Sequence, residues 1–281
     1  EIVLVNTTET RMNGEVRFFS QGSGTQPGTP MEVGIGDGAA SVLEYDIPPR
    51  SSQRFKTAGN ADSVSMGSIY IVPFGGFNTP HAHVLLSRRD GAVIVSQTAI
   101  EGQLPGRNFR LYAEAFGDFD GSKPKSTQTT FAFANPASAS ASVRLDLTSL
   151  DGTSLGSASI QIPANGQVAM FLNRVPGFET IKAPYQGILR ATVTSGTGVT
   201  VVGMRVMFNE SGNFLTTTTG PLNENANSPT RLVFPYIADS SGYTSQFILV
   251  GGSTGQNISG VLRFLTPDAT PLALDNLIVG S

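Results

Sequence analysis

Cysteine and tryptophan are both absent from this chain, and only two histidines occur. Without cysteine there is no disulfide framework, no thiolate metal centre and no cysteine nucleophile. That absence assigns no compartment, because many exported bacterial proteins lack cysteine as well. The missing tryptophan weakens a sugar-stacking role, since carbohydrate platforms commonly rely on Trp and Tyr faces. Charge is also scarce. Charged residues make up 14% of the chain, the net charge is -3, and the 18 basic residues form no cluster. Nucleic acid and an acidic membrane surface are therefore not expected as partners. No apolar run approaches the roughly 18–20 residues that span a bilayer, so no membrane insertion is expected. No signal peptide is visible and the first residue is Glu1 rather than Met, so the reading is of a processed, excised or longer chain.

Glycine (32), proline (17), serine and threonine are abundant, which suits short strands joined by turns. The apolar residues alternate with polar ones: Val143, Leu145 and Leu147; Ile160 and Ile162; Val168, Met170 and Leu172; Val199 and Val201. A period of two is what a half-buried strand requires. Between these runs lie hairpin-type sequences, Asp90-Gly91, Asp151-Gly152, Asn165-Gly166 and Glu210-Ser211-Gly212. A short helical turn is expected at 176–181, and nowhere else does a helical period persist.

The chain also repeats itself. Leu4-Val5 aligns with Leu249-Val250, Asn6 with Asn135, and Val16-Arg17-Phe18 with both Val143-Arg144-Leu145 and Leu262-Arg263-Phe264. GSIYIVP at 67–73 aligns with GILRATV at 187–193, and Arg110-Leu111-Tyr112 with Arg231-Leu232-Val233. The repeating unit is about 120 residues of seven or eight strands. The expected fold is all-β: tandem Ig-like β-sandwich domains at 1–108 and 109–230, with a partial third repeat at 231–281. In this phase the first domain is entered one strand late, and the last segment carries the corresponding strand, RLVFPYIA.

The pattern QFILV, SGxLRF, IPP, GSIxV and R-L-x-F-P resembles the tandem β-sandwich repeats of large secreted or surface proteins of Acidobacteria and related environmental bacteria. The resemblance covers essentially the whole chain but rests on strand cores and turns. It implies an exported, non-enzymatic protein and carries over no catalytic residue.

Side chains with chemistry to offer are few. His81 and His83, two apart, point to one face of a strand, but a metal site needs a third ligand of defined type. The run Gly251-Gly252-Ser253-Thr254-Gly255 matches G-x-S-x-G, yet stands in a hairpin rather than a strand-to-helix turn. Asp118 and Asp120 read as an acidic turn rather than a calcium loop. Neither a catalytic group nor a cofactor is expected. Asn6, Asn209 and Asn257 head N-x-S/T sequons and are the candidate glycosylation sites, so attached glycans are a further candidate partner.

Two functional classes follow. In the first, the protein is a structural subunit of an extracellular filament, surface fibre or adhesin stalk, secreted and built head-to-tail from copies of itself by β-strand complementation. Leu232, Phe234 and Tyr236 share one face of the donated strand, and Ile2 and Leu4 lie at the receiving end. A three-stranded segment cannot bury both faces, and its open edge invites pairing. Closure within one chain, or a window of a longer repeat protein, would satisfy the same phase. In the second class it is a carbohydrate- or surface-binding accessory module of a longer secreted repeat protein. The six tyrosines are spread along the chain, which argues against that.

Overall fold

A computed structural model describes residues 1–226, 231–251, 259–266, 268–272 and 274. The first strands are β1 (Ile2–Val5), β2 (Met12–Ser20), β3 (Val33–Ile35), β4 (Gly38–Ala40), β5 (Val42–Ile47), β6 (Ser52–Phe55), β7 (Gly67–Pro73), β8 (His81–Asp90) and β9 (Val93–Glu101). After a six-residue connection, 102–107, come β10 (Asn108–Phe116), β11 (Thr127–Ala134), β12 (Ala141–Ser149), β13 (Ser154–Ile162), β14 (Gln167–Phe171), β15 (Tyr185–Ser195), β16 (Thr200–Phe208), β17 (Phe214–Thr219) and β18 (Leu222–Asn223). Every pairing between them is antiparallel.

The strands enclose two hydrophobic cores. In the first, sheets ordered β6-β1-β8-β9 and β5-β2-β7 face each other across Ile2, Leu4, Val16, Phe18, Tyr45 and Ile47. In the second, the order β13-β12-β15-β10 turns a corner at Ala115 and Phe116 and continues as β11-β16-β17, with β14 beside β11. Alternation produces these faces directly. Met12, Gly14, Val16 and Phe18 of β2 are buried, as are Ala141, Val143, Leu145 and Leu147 of β12, while their neighbours are not.

Strand pairing also fixes which residues correspond between the cores. Met12 pairs with Ile47 and Ala141 with Ile162, while Phe18 pairs with Ile69 and Leu147 with Leu189. Val16 and Phe18 therefore occupy the places of Leu145 and Leu147, two residues on from the alignment read in the sequence. A slip of two keeps every side chain on its own face, so periodicity alone does not detect it.

The two cores lie against each other. Gly28 N–H donates to the Ala164 carbonyl (2.8 Å), Gln167 N–H to that of Gln21 (2.8 Å), and the Tyr70 hydroxyl to that of Asn135 (3.0 Å). Strands β9 and β17 meet through Thr218 Oγ1 donating to the Ala99 carbonyl (2.8 Å) and Thr216 N–H donating to Ser96 Oγ (2.9 Å).

Two expectations give way. The helical turn forms at Leu172–Arg174, just ahead of the expected 176–181. Beyond Asn223, no described residue lies in a strand; isolated bridges join Ser240 to Tyr243 and Leu265 to Pro271. Among the described residues no second sheet covers the apolar side chains expected to form strands there, and a ladder without such cover is marginal.

Candidate functional site

The site is an edge. In the second core β15 is flanked by β12 on one side and β10 on the other; its counterpart β7 has β2 on one side and, among the described residues, no strand on the other. The correspondence extends to a glycine near the start of each strand, Gly67 in β7 and Gly187 in β15. A Cβ on Gly67 would come within 2.1 Å of the Phe19 carbonyl oxygen, and one on Gly187 within 2.0 Å of that of Thr148.

Backbone direction tells which groups are unused. Phe18 N–H donates to the Ser41 carbonyl and the Phe18 carbonyl accepts from Met31 N–H, so Phe18 faces away from β7. Alternation then turns the backbone groups of Arg17 and Phe19 toward Tyr70 and Ser68. Gly67, Ile69 and Ile71 consequently direct theirs to the open edge. Pro73, which has no N–H to offer, closes the strand on that same side, a place where sheets tolerate proline.

The core beneath registers the missing neighbour. Leu189 and Ala191, covered by β10, are 0% exposed; Ile69 and Ile71, in the matching places, are only partly buried. The outer face of β7 is occupied instead: Phe19 stacks on Tyr70 with ring centroids 4.7 Å apart. Burial pushes the Tyr70 phenol above its ordinary pKa, and its hydroxyl donates to the Asn135 carbonyl.

The candidate residues fall in three places. Leu232, Phe234 and Tyr236 stand outside any strand or helix, 69%, 54% and 80% exposed, a costly state for side chains of this size. Ile2 and Leu4 do not lie at an edge. Strand β1 is paired by β6 on one side and β8 on the other, and both side chains are enclosed in the first core. The open edge belongs to β7, which the repeat phase alone did not locate; GSIYIVP, ending on proline, was the available signal.

Of the sequons, Asn6 is 1% exposed with its amide nitrogen bonded to three backbone carbonyls. Asn209 sits in the β16–β17 turn, where its Oδ1 accepts from Ser211 and Asn213 N–H. Asn257 and Ser253 lie outside the described residues. His81 and His83 pair across from Val5 and Val3, and among the described residues no three His, Asp or Glu side chains gather as metal ligands. Asp118 accepts from Gly121 N–H, and Asp120 is ion-paired with Arg174 (3.1 Å).

A buried ionic cluster lies outside the sequence reading altogether. Glu224, past β18, is held by Arg110 of β10 (2.6 Å) and Arg190 of β15 (2.8 Å), and these bonds keep its carboxyl below the usual range. The cluster fastens the chain leaving β18 to the second core.

No known protein family and no curated protein matches this chain. A solved Thermotoga maritima protein, described as "Crystal Structure of Thermotoga maritima 1070", is similar over 42% of this chain and 96% of its own, at 11% identity and a TM-score of 0.33. A likeness of that size bears on neither fold detail nor function.

Proposed function

We propose that this is a non-enzymatic structural protein, a subunit of an extracellular filament, surface fibre or adhesin stalk, built of tandem Ig-like sandwich repeats that associate end to end by strand complementation. One observation carries the reading: among the described residues, a strand edge with no paired neighbour coexists with an exposed apolar segment that pairs with no strand. Edges of that kind are ordinarily blunted by charge, bulges or a covering element. Contact between the end of one copy and the sheet of the next is heterologous and propagates as an open polymer.

The test is electron microscopy and sizing of the purified full chain beside a variant deleted for residues 231–281. Polymers of the full chain that vanish on deletion are expected. A monodisperse full chain over the whole accessible concentration range would sink the reading.

A further inference from the structure

We infer that the open edge of β7 is a docking site for residues 231–234 of a second copy of this chain, held in the register that β10 takes on β15. The inference rests on the end-to-end reading above and names its acceptor, its donor and their alignment.

The register follows from three correspondences already in hand. Residues 231–233 repeat 110–112. On β15, Arg110, Leu111, Tyr112 and Ala113 stand opposite Arg190, Leu189, Ile188 and Gly187. Those four positions of β15 are Tyr70, Ile69, Ser68 and Gly67 in β7. Arg231 therefore comes opposite Tyr70, Leu232 opposite Ile69, Val233 opposite Ser68, and Phe234 opposite Gly67.

Hydrogen bonding fits this register. In β10 the Glu114 backbone bonds Thr129 through both its N–H (2.8 Å) and its carbonyl (3.0 Å), and the Asn108 carbonyl accepts from Glu224. The even positions of β10 thus face away from β15, and the odd ones face it. The donor groups that meet β7 are then those of Leu232 and Phe234, opposite Ile69 and Gly67, whose backbones point to the open edge. Pro235 takes the place of Glu114, where no bond to the acceptor is made, so its missing N–H costs the ladder nothing.

In the second core β10 presents Ala113, and β11 presents the large Phe131 and Phe133. In the first core the smaller Ile2 and Leu4 of β1 stand where those phenylalanines do, and the donor brings the larger Phe234 to the place of Ala113. Ile2 and Leu4 so form the floor beneath the donor and take no part in its hydrogen-bonded edge.

The occupant is a second copy because, among the described residues, the chain's own segment pairs with no strand and packs on itself. Glu224, only seven residues before Arg231, is anchored between Arg110 and Arg190. Phe234 rests against Phe247, and Phe247 against Phe264, at 5.7 and 5.6 Å between centroids.

Disulfide trapping tests this cleanly in a chain without cysteine. Val233 and Ser68 form a non-hydrogen-bonded pair, whose Cα separation of about 4.5 Å lies within disulfide reach. The full-length double variant Ser68→Cys, Val233→Cys is expected to give a covalent ladder on mild oxidation. A mixture of the two single variants should give dimers and stop there, and Tyr70→Cys with Val233→Cys, shifted by two, should cross-link at least tenfold less. An internally bridged monomer would overturn the second-copy assignment, and absence of any bridge would overturn the site.

Hydrogen exchange on the unaltered chain supplies an independent readout that no misfolded variant can spoil. The Gly67 and Ile69 amides should slow at least tenfold as concentration rises, while those of Ser68 and Tyr70, bonded to β2, should not. Unchanged Gly67 and Ile69 exchange in a polymerised sample would overturn the site and leave the end-to-end reading standing. Failure to polymerise at all would remove both.

Discussion

Asn6 and Asn135 make the same set of hydrogen bonds in two different cores. The Asn6 side-chain amide donates to the carbonyls of Thr10 (2.7 Å), Ile47 (3.1 Å) and Pro48 (3.0 Å). That of Asn135 donates to Ala139 (2.8 Å), Ile162 (3.4 Å) and Pro163 (3.1 Å). Each amide ties the turn after one strand to the end of a strand in the opposite sheet. Replacing either residue with alanine leaves buried carbonyls unsatisfied, at about 1–3 kcal/mol apiece. We expect Asn6→Ala and Asn135→Ala each to lower stability by about 2–3 kcal/mol in urea titrations. Asn6→Asp, which removes the donors while keeping the shape, should do no better.

The two corresponding glycines, Gly67 and Gly187, supply a sharper contrast. Gly67→Ala and Gly187→Ala would drive a methyl group into a carbonyl oxygen 2.1 and 2.0 Å away, and backbone cannot give way as a flexible side chain can. A loss of about 2 kcal/mol or more is expected for each. Gly38→Ala, with no atom within 4 Å and no left-handed backbone, should leave the urea midpoint where it is.

Acid sensitivity should trace in part to Glu224. Its carboxyl is held below the ordinary range, chiefly by the hydrogen bond from Arg190 and then by that from Arg110. A group whose folded pKa is depressed stabilises the fold above its unfolded pKa, and that contribution is lost as pH falls through the lower folded value. Glu224→Gln is therefore expected to cost about 2 kcal/mol at neutral pH and progressively less below the usual carboxylate pKa. Urea unfolding of both proteins from neutral pH down through the acidic range checks this: curves that stay parallel throughout would deny the carboxylate its role.

Much of this fold is legible in the sequence because alternation and turn chemistry act locally. Val143, Leu145 and Leu147 announce β12, and Asp90-Gly91 and Asp151-Gly152 fall at turns between paired strands, whereas Asn165-Gly166 turns the chain from β13 to β14, which pair with other strands. The open edge is not legible in the same way. Whether β7 has one neighbour or two depends on topology far along the chain, and nothing within GSIYIVP reports it except the closing proline. The register between the cores escapes for a related reason: a two-residue slip moves Val16 from the place of Leu145 to that of Val143 without changing any face. Glu224 escapes too, since its partners, Arg110 and Arg190, lie 114 and 34 residues away.

Partial burial at the open edge leads to the last expectation. Leu189 is enclosed by β10, and truncating it to alanine should cost about 3 kcal/mol, the usual loss for a fully buried aliphatic side chain. Ile69 occupies the same place with one side uncovered, so for dilute protein Ile69→Ala should cost closer to 1 kcal/mol. When a donor strand covers β7, the Ile69 environment becomes that of Leu189, and the penalty for its truncation should rise toward the Leu189 value. Urea midpoints of full-length Ile69→Ala and Leu189→Ala, taken at two widely separated concentrations, measure the difference. The Leu189→Ala penalty serves as the reference, because β10 belongs to the same chain and covers Leu189 at any concentration. An Ile69→Ala penalty equally indifferent to concentration would mean that nothing settles on that edge.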